Sequence, residues 1–386
     1  MTNIIFEPLI MNNKTIPNRF FAQAMEGNDS ENGGCPSQKT INRYEELAKG
    51  RWGTVLVEAI SVTDTSLARV NGLVMNRKNL DGFNRLVEKF RKHNDRSCLL
   101  FQITHSGEQS GTFSQKTSLT KKLEGYHYLS TDEVKYIKDD FINAIILAEE
   151  AGADGIDLKM CHGYFGSEMI RPNNIRDDKY GKSFDNRMRF LKEIVSEIKR
   201  LSKSSDFIIG SRISLYEGIR GGCGTTSPDE IVEDVSEMFD VIRTMTDLGM
   251  HYINVSAGIP AISAAITRPT EQSKYLALHH LRYTKEVKDF ANKNKLKIKI
   301  IGSAYSTYKE EAPQIMEEMI NKGYVDLCGF GRQIFADPFT PKKIQNNEKV
   351  NWCVLCSGCT NLMKKQLNDG CVVYNNYYKK IIKNAK

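Results

Sequence analysis

No apolar run in this chain approaches the ~20 residues that a membrane-spanning helix needs; the longest, such as Thr54 to Ile60, are far shorter. The first ten residues carry Glu7 and no basic region ahead of an apolar stretch, so no secretory leader is expected and the protein is read as cytoplasmic. Charge of one sign is not segregated either. The net charge of +7 comes from 54 basic and 47 acidic side chains scattered together, which describes a solvated surface rather than a nucleic-acid-binding face. Common nucleic-acid-binding signatures are missing. With no leader and an odd total of nine cysteines, a disulfide framework is not expected. A dinucleotide fingerprint is lacking too, because the glycines between Gly218 and Gly224 do not have Gly-x-Gly-x-x-Gly spacing.

What is present is a rhythm. Short β-rich runs recur at Arg19 to Ala24, Thr54 to Ala59, Cys98 to Thr104 and Gly155 to Lys159. Four more follow at Phe207 to Ile213, His251 to Ser256, Lys297 to Gly302 and Val325 to Phe330. Most are near-continuous apolar stretches, as parallel strands buried on both faces require. Segments with helical spacing separate them, with start signals at Ser130-Thr131-Asp132-Glu133 and Ser227-Pro228-Asp229-Glu230. Gly152, Gly249 and Gly323 follow helices where a left-handed cap would serve. Eight alternating units predict an α/β fold, a (β/α)8 TIM barrel, ahead of a doubly wound open sheet. The barrel is expected over residues 1–345, and a short cysteine-rich C-terminal extension over 346–386.

Chemistry on such a barrel belongs to the residues just after each strand. Gly302-Ser303-Ala304 and Gly329-Phe330-Gly331-Arg332 follow the last two strands. One glycine loop alone would be only a tight turn. Two adjacent ones with Arg332 fit a phosphate, since backbone N–H groups, a helix N-terminus and a guanidinium converge there. The fourth strand ends in Lys159, His162 and Tyr164, two potential cations and a phenol. Such groups can polarise a carbonyl and donate a proton.

These residues resemble the Old Yellow Enzyme family of FMN-dependent oxidoreductases, from near the N-terminus to about Pro341. The segment from Gly152-Ala153-Asp154-Gly155-Ile156 through His162-Gly163-Tyr164 to Arg171-Pro172-Asn173-Asn174 and Tyr180-Gly181 carries most of the likeness. Pro17-Asn18-Arg19, Glu58-Ala59, Gln102 with His105, and Ala336-Asp337-Pro338 add to it. The resemblance implies that Met25, Ala59 and Gln102 line the flavin ring, with Glu26 beside it. It implies Arg212 near N1 of the reduced ring, and Gly302, Ala304, Gly331 and Arg332 around the phosphate. Tyr164 would be the proton donor, with Lys159 and His162 gripping the substrate oxygen. Two positions depart from the family's pattern. Lys159 stands where histidine is usual, and Glu26 where threonine or cysteine is common; its carboxyl could be an anion that disfavours reduced flavin or a neutral donor. The Gly302 loop is also poorer in glycine than usual.

Beyond the barrel lies Cys353-x-x-Cys356-x-x-Cys359, then Cys371. This is similar to the larger branch of the family typified by 2,4-dienoyl-CoA reductase, enoate reductase and trimethylamine dehydrogenase, where four cysteines hold a [4Fe–4S] cluster. Zinc is the alternative, although two separated Cys-x-x-Cys knuckles are its usual pattern. Those relatives continue into FAD- and NAD(P)H-binding domains, whereas the sequence stops at Lys386. The expected reductant is therefore NAD(P)H acting directly or, with a cluster, a separate electron-donor protein. The leading expectation is an ene-reductase acting on an enone, enoate or similar small molecule. Amine dehydrogenation or demethylation, and an electron-transfer flavoprotein subunit, are the alternatives. A homo-oligomer is also expected, with neither nucleic acid nor membrane as partner.

Overall fold

The computed structural model describes residues 3–385. Eight parallel strands form its centre: β1 Phe20–Ala22, β2 Thr54–Ser61, β3 Cys98–Thr104 and β4 Gly155–Met160, then β5 Ile208–Ser214, β6 Tyr252–Ser256, β7 Lys299–Gly302 and β8 Leu327–Phe330. Neighbours in sequence are neighbours in the sheet, and β1 pairs both with β8 (Phe20 with Cys328) and with β2 (Phe21 with Thr54). The sheet therefore closes on itself, which excludes the open doubly wound alternative. All eight expected strands are present; β1, β7 and β8 are trimmed at their ends, and β2 runs on to Ser61.

Burial explains the near-continuous apolar runs. One face of the strands packs against the surrounding helices in the main hydrophobic core. Phe21, Leu56, Leu100, Ile208, Ile301 and Leu327 belong to a second cluster, the interior packing of the barrel. Met11 and Ile16 join that cluster from the hairpin Leu9–Met11/Lys14–Ile16. Each such side chain contributes about 1.5–3 kcal/mol on burial. The barrel is thus filled with hydrocarbon at its N-terminal end, and polar side chains collect at the other.

The outer ring comprises α1 Gln38–Lys49, α2 Leu80–His93, α3 Thr131–Glu150, α4 Phe184–Leu201, α5 Ser236–Asp247, α6 Ala277–Lys293 and α7 Ala312–Asn321. Ser130 and Glu133 form a reciprocal capping box on α3. Gly152, Gly249 and Gly323 take positive φ after their helices. The start signal at Ser227-Pro228-Asp229-Glu230 does not begin a helix. The Glu230 carboxylate accepts the N–H groups of Ile231 and Val232, and the Glu230 carbonyl accepts from Gly221, so the segment folds as a loop. Helix α5 starts later, at Ser236, whose N–H is taken by Asp234.

The C-terminal segment returns to the barrel mouth through the short helices Gly358–Lys364 and Asn376–Asn384. It is stitched to the β1 and β2 loops: Asp369 N–H donates to the Gly27 carbonyl at 2.7 Å, Asn28 Nδ2 donates to the Leu367 carbonyl, Asn368 Nδ2 donates to the Asn28 carbonyl, and Val70 N–H donates to Gln366 Oε1. Among the described residues no helix is long and apolar enough to cross a membrane.

Candidate active site

A cavity of about 460 Å³ opens at the C-terminal ends of the strands. Its floor is a buried polar layer. Gln102 Nε2 donates to Asp157 Oδ1 at 2.9 Å, and the Tyr252 hydroxyl donates to Asp157 Oδ2 at 2.9 Å. Burial raises the Asp157 carboxyl to about 6 in spite of these hydrogen bonds. Beside it, Gln23 Nε2 donates to Asn254 Oδ1 at 3.1 Å and to Ser303 Oγ at 2.7 Å.

The strand-end residues from the sequence converge on one wall. Lys159, His162, Tyr164, Arg212, Gln102 and Met25 all border the cavity. His162 has φ +63°, which turns its ring inward, and its Nε2 hydrogen-bonds Ser256 Oγ at 2.8 Å. Arg212 Nη2 donates to the same hydroxyl at 3.1 Å. Burial, then Arg212 and Lys159, push the His162 imidazole well below its usual pKa, so it is neutral. Lys159 Nζ lies 3.2 Å from the centroid of the Tyr164 ring, a cation over a π face.

Glu26 completes this group. Its Oε1 accepts the Tyr164 hydroxyl at 3.3 Å and its Oε2 pairs with Arg69 at 2.8 Å. Burial alone would raise this carboxyl. Arg69, Lys159 and Arg268 outweigh burial and hold it below the usual range, so Glu26 is an anion.

The phosphate-like end is built from the loops after β7 and β8. Ala304 adopts φ +72°, the left-handed conformation that a glycine would supply, which accounts for the loop's shortage of glycine. Ala304, Gly331 and Arg332 border the cavity, and Arg332 Nη2 donates to the Pro269 carbonyl. Gly302 lies below, packed against Tyr305 and Thr284. Ala59 borders a small adjoining recess with Glu58 and Ser61. Several buried polar atoms of the cavity lining lack partners, among them Arg212 Nε, Arg332 Nη1 and Arg69 Nε, and so does Asn254 Nδ2 in the layer beneath. Orphaned donors at both ends of a barrel-mouth cavity fit a ligand with a polar ring edge and a phosphate, as FMN has.

None of the four C-terminal cysteines is in a disulfide, and Cys359 borders the cavity. Cys353 N–H donates to Gln333 Oε1 at 2.8 Å, Cys371 Sγ accepts from Tyr374 N–H at 3.5 Å, and Cys356 is exposed. Among the described residues no three His, Cys, Asp or Glu side chains converge as on a single metal ion. Gln333 is a junction: its N–H meets Ser306 Oγ at 3.2 Å, and its Nε2 donates to Thr340 Oγ1 and to the Asn351 carbonyl.

Sequence reasoning missed several residues of this cavity. Gln23 follows β1 directly and was reachable by the same strand-end rule. Arg69, Arg268, His280 and Asp369 also border it, but they sit in loops, in a helix and in the extension, where no motif marks them. His105, at the end of β3, is not at the cavity; it is buried against Phe165, and burial lowers it to about 3.

The C-terminal mouth of this closed parallel barrel thus brings the loops after β7 and β8 into one cavity with a phenol and several cations, where barrel enzymes carry their chemistry. The chain belongs to the NADH:flavin oxidoreductase / NADH oxidase family, whose model matches residues 4–351. It is similar to the NADH oxidase of Thermoanaerobacter brockii, 27% identical over 90% of this chain and 52% of that protein. It is also similar to the cinnamate reductase of Clostridium sporogenes, 25% identical over 96% of this chain and 57% of that one. The fold matches a 2-naphthoyl-CoA reductase complex with a TM-score of 0.82 at 19% identity, covering 98% of this chain and 58% of that chain. The chain thus spans little more than half the length of these three proteins.

Proposed function

We propose that the protein is an FMN-dependent ene-reductase, reducing a C=C bond activated by a neighbouring carbonyl or carboxyl group. The observation that carries this reading is the cluster of Tyr164, Lys159 and His162 in one cavity whose far end has the unpaired donor of Arg332. FMN would be held by Gln102 and Arg212 at its ring and by Ala304, Gly331 and Arg332 at its phosphate. When bound, it supplies hydride to one carbon of the double bond.

The chain's own groups do the rest. The Tyr164 phenol holds a proton for the other carbon. As the proton leaves, Lys159 against the ring stabilises the phenolate that forms. Glu26, as an anion accepting a hydrogen bond from the phenol in the resting site, fixes the hydroxyl's direction. Lys159 and neutral His162 are placed to orient the substrate oxygen. Lys159, Arg69 and Arg268 make this cavity a poor home for a cationic amine, which argues against amine dehydrogenation. NAD(P)H or a reduced carrier protein would regenerate the reduced flavin.

Replacing Tyr164 by Phe tests the reading. With FMN content unchanged, turnover of an enone or enoate should fall by about 10²–10⁴-fold, while flavin reduction by NAD(P)H stays normal. Undiminished turnover would remove Tyr164 from the reaction.

A further inference from the structure

Two cations of the cavity lining, Arg268 and the exposed Lys364, have no bonded side-chain partner among the described residues. Arg332 and Arg212 are accounted for by the proposed cofactor, Arg69 pairs with Glu26, and Lys159 covers the Tyr164 ring. The Arg268 guanidinium borders the same cavity, yet among the described residues it forms no hydrogen bond or ion pair. Burial depresses its pKa and Arg69 adds to that effect, against the pull of Glu26. Glu26 is already tied to Arg69, and burial pushes the nearby Asp369 carboxyl up to about 8, so the half-buried Arg268 beside a second cation still lacks a full counter-charge.

The backbone presenting both guanidiniums is fixed. Thr267 Oγ1 donates to the Ser263 carbonyl at 3.2 Å, His280 Nε2 hydrogen-bonds the Ile266 carbonyl at 2.9 Å, and the Pro269 carbonyl accepts from Arg332. On the opposite wall Gln366 of the extension clamps the chain around Arg69: its Oε1 accepts Val70 N–H at 3.1 Å and its Nε2 donates to the Ala68 carbonyl at 3.3 Å. Arg69 Nε is buried and unpartnered. This is a prepared site: the free Arg268 fork borders the same cavity as Arg69, which Glu26 holds in place before a ligand arrives.

We infer that Arg268 and Arg69 form an anion subsite for the substrate's carboxylate, so that the substrate is an α,β-unsaturated carboxylate rather than a neutral enone. The inference rests on the ene-reductase reading for its chemistry. A free carboxylate pushes electron density into the adjoining double bond and makes it a poor hydride acceptor. Guanidinium hydrogen bonds draw that density back and stabilise the charge that accumulates as hydride arrives. The same pair therefore selects the substrate and activates it.

The test uses the FMN-loaded protein and two probes of one skeleton, trans-cinnamate and its neutral methyl ketone counterpart, benzalacetone. Binding is read from the perturbation of the oxidised flavin spectrum, so it does not depend on turnover. The wild type is expected to prefer cinnamate. Arg268→Gln should weaken cinnamate binding on the order of tenfold or more, leave benzalacetone binding and FMN content unchanged, and be partly rescued by Arg268→Lys. Equal weakening of both probes, or a wild type that prefers the ketone, overturns the assignment. Loss of FMN from Arg268→Gln also overturns it, because the guanidinium then belongs to the cofactor's phosphate. If neither probe is reduced but the carboxylate preference and its dependence on Arg268 persist, the ene-reductase reading fails and the anion subsite stands.

Discussion

Glu26 has the most consequential charge in the cavity. Sequence left open whether it is an anion or a neutral donor, because the answer lies with Arg69, Lys159 and Arg268, which only the fold brings to it. As an anion it opposes the negative charge that a reduced flavin acquires. Glu26→Gln is therefore expected to raise the two-electron potential of bound FMN by tens of millivolts, about 30 mV for each 1.4 kcal/mol of lost repulsion. A dye-equilibration titration measures this, and an unchanged potential would place Glu26 out of electrostatic reach of the ring. Lys159, His162 and Tyr164 were legible in the sequence because they stand at a strand end within an ordered motif. Arg268 was not, since a single loop cation carries no periodicity and no spacing.

The strands were legible as elements because each is buried on both faces, so its sequence is an uninterrupted apolar run such as Val55-Leu56-Val57 or Ile300-Ile301. Helix α5 was less so: Ser227 to Glu230 has the composition of a start, but its hydrogen bonds close a loop instead. Asp157 was hidden for the opposite reason, being a polar residue within an apolar strand that appears as an interruption until Gln102 and Tyr252 are seen to meet it. Its raised pKa has a definite sign. Between about 4 and 6 the unfolded chain has released this proton while the folded chain still binds it, so stability falls as pH rises through that window and levels off above it. The span corresponds to up to about 3 kcal/mol. Asp157→Asn, which keeps the size of the side chain, is expected to flatten that part of a urea-denaturation profile measured against pH. A profile identical to the wild type would mean that Asp157 titrates normally.

At the scale of the whole molecule, the extension both borders the cavity and carries the cysteine motif. Gln366 and Asp369 border the cavity, and four thiols lie in the same segment. Their spacing, three cysteines separated by two residues each and a fourth further on, fits the proposal of a cubane, whose four irons are held by separate thiolates, better than the two separated knuckles usual for zinc. Anaerobically purified protein is expected to contain about four irons and four sulfides per FMN, and Cys353→Ser or Cys371→Ser to lower the iron count. One zinc without iron would replace that proposal. Gln333 gives the arrangement a further consequence. The residue beside Arg332 is bonded to Ser306 on one side and to Cys353 on the other, so whatever stiffens the phosphate loop also stiffens the first cysteine. Linkage makes that influence mutual and equal in both directions. The two prosthetic groups would then be loaded as partners, and a cell short of iron would accumulate protein short of flavin as well.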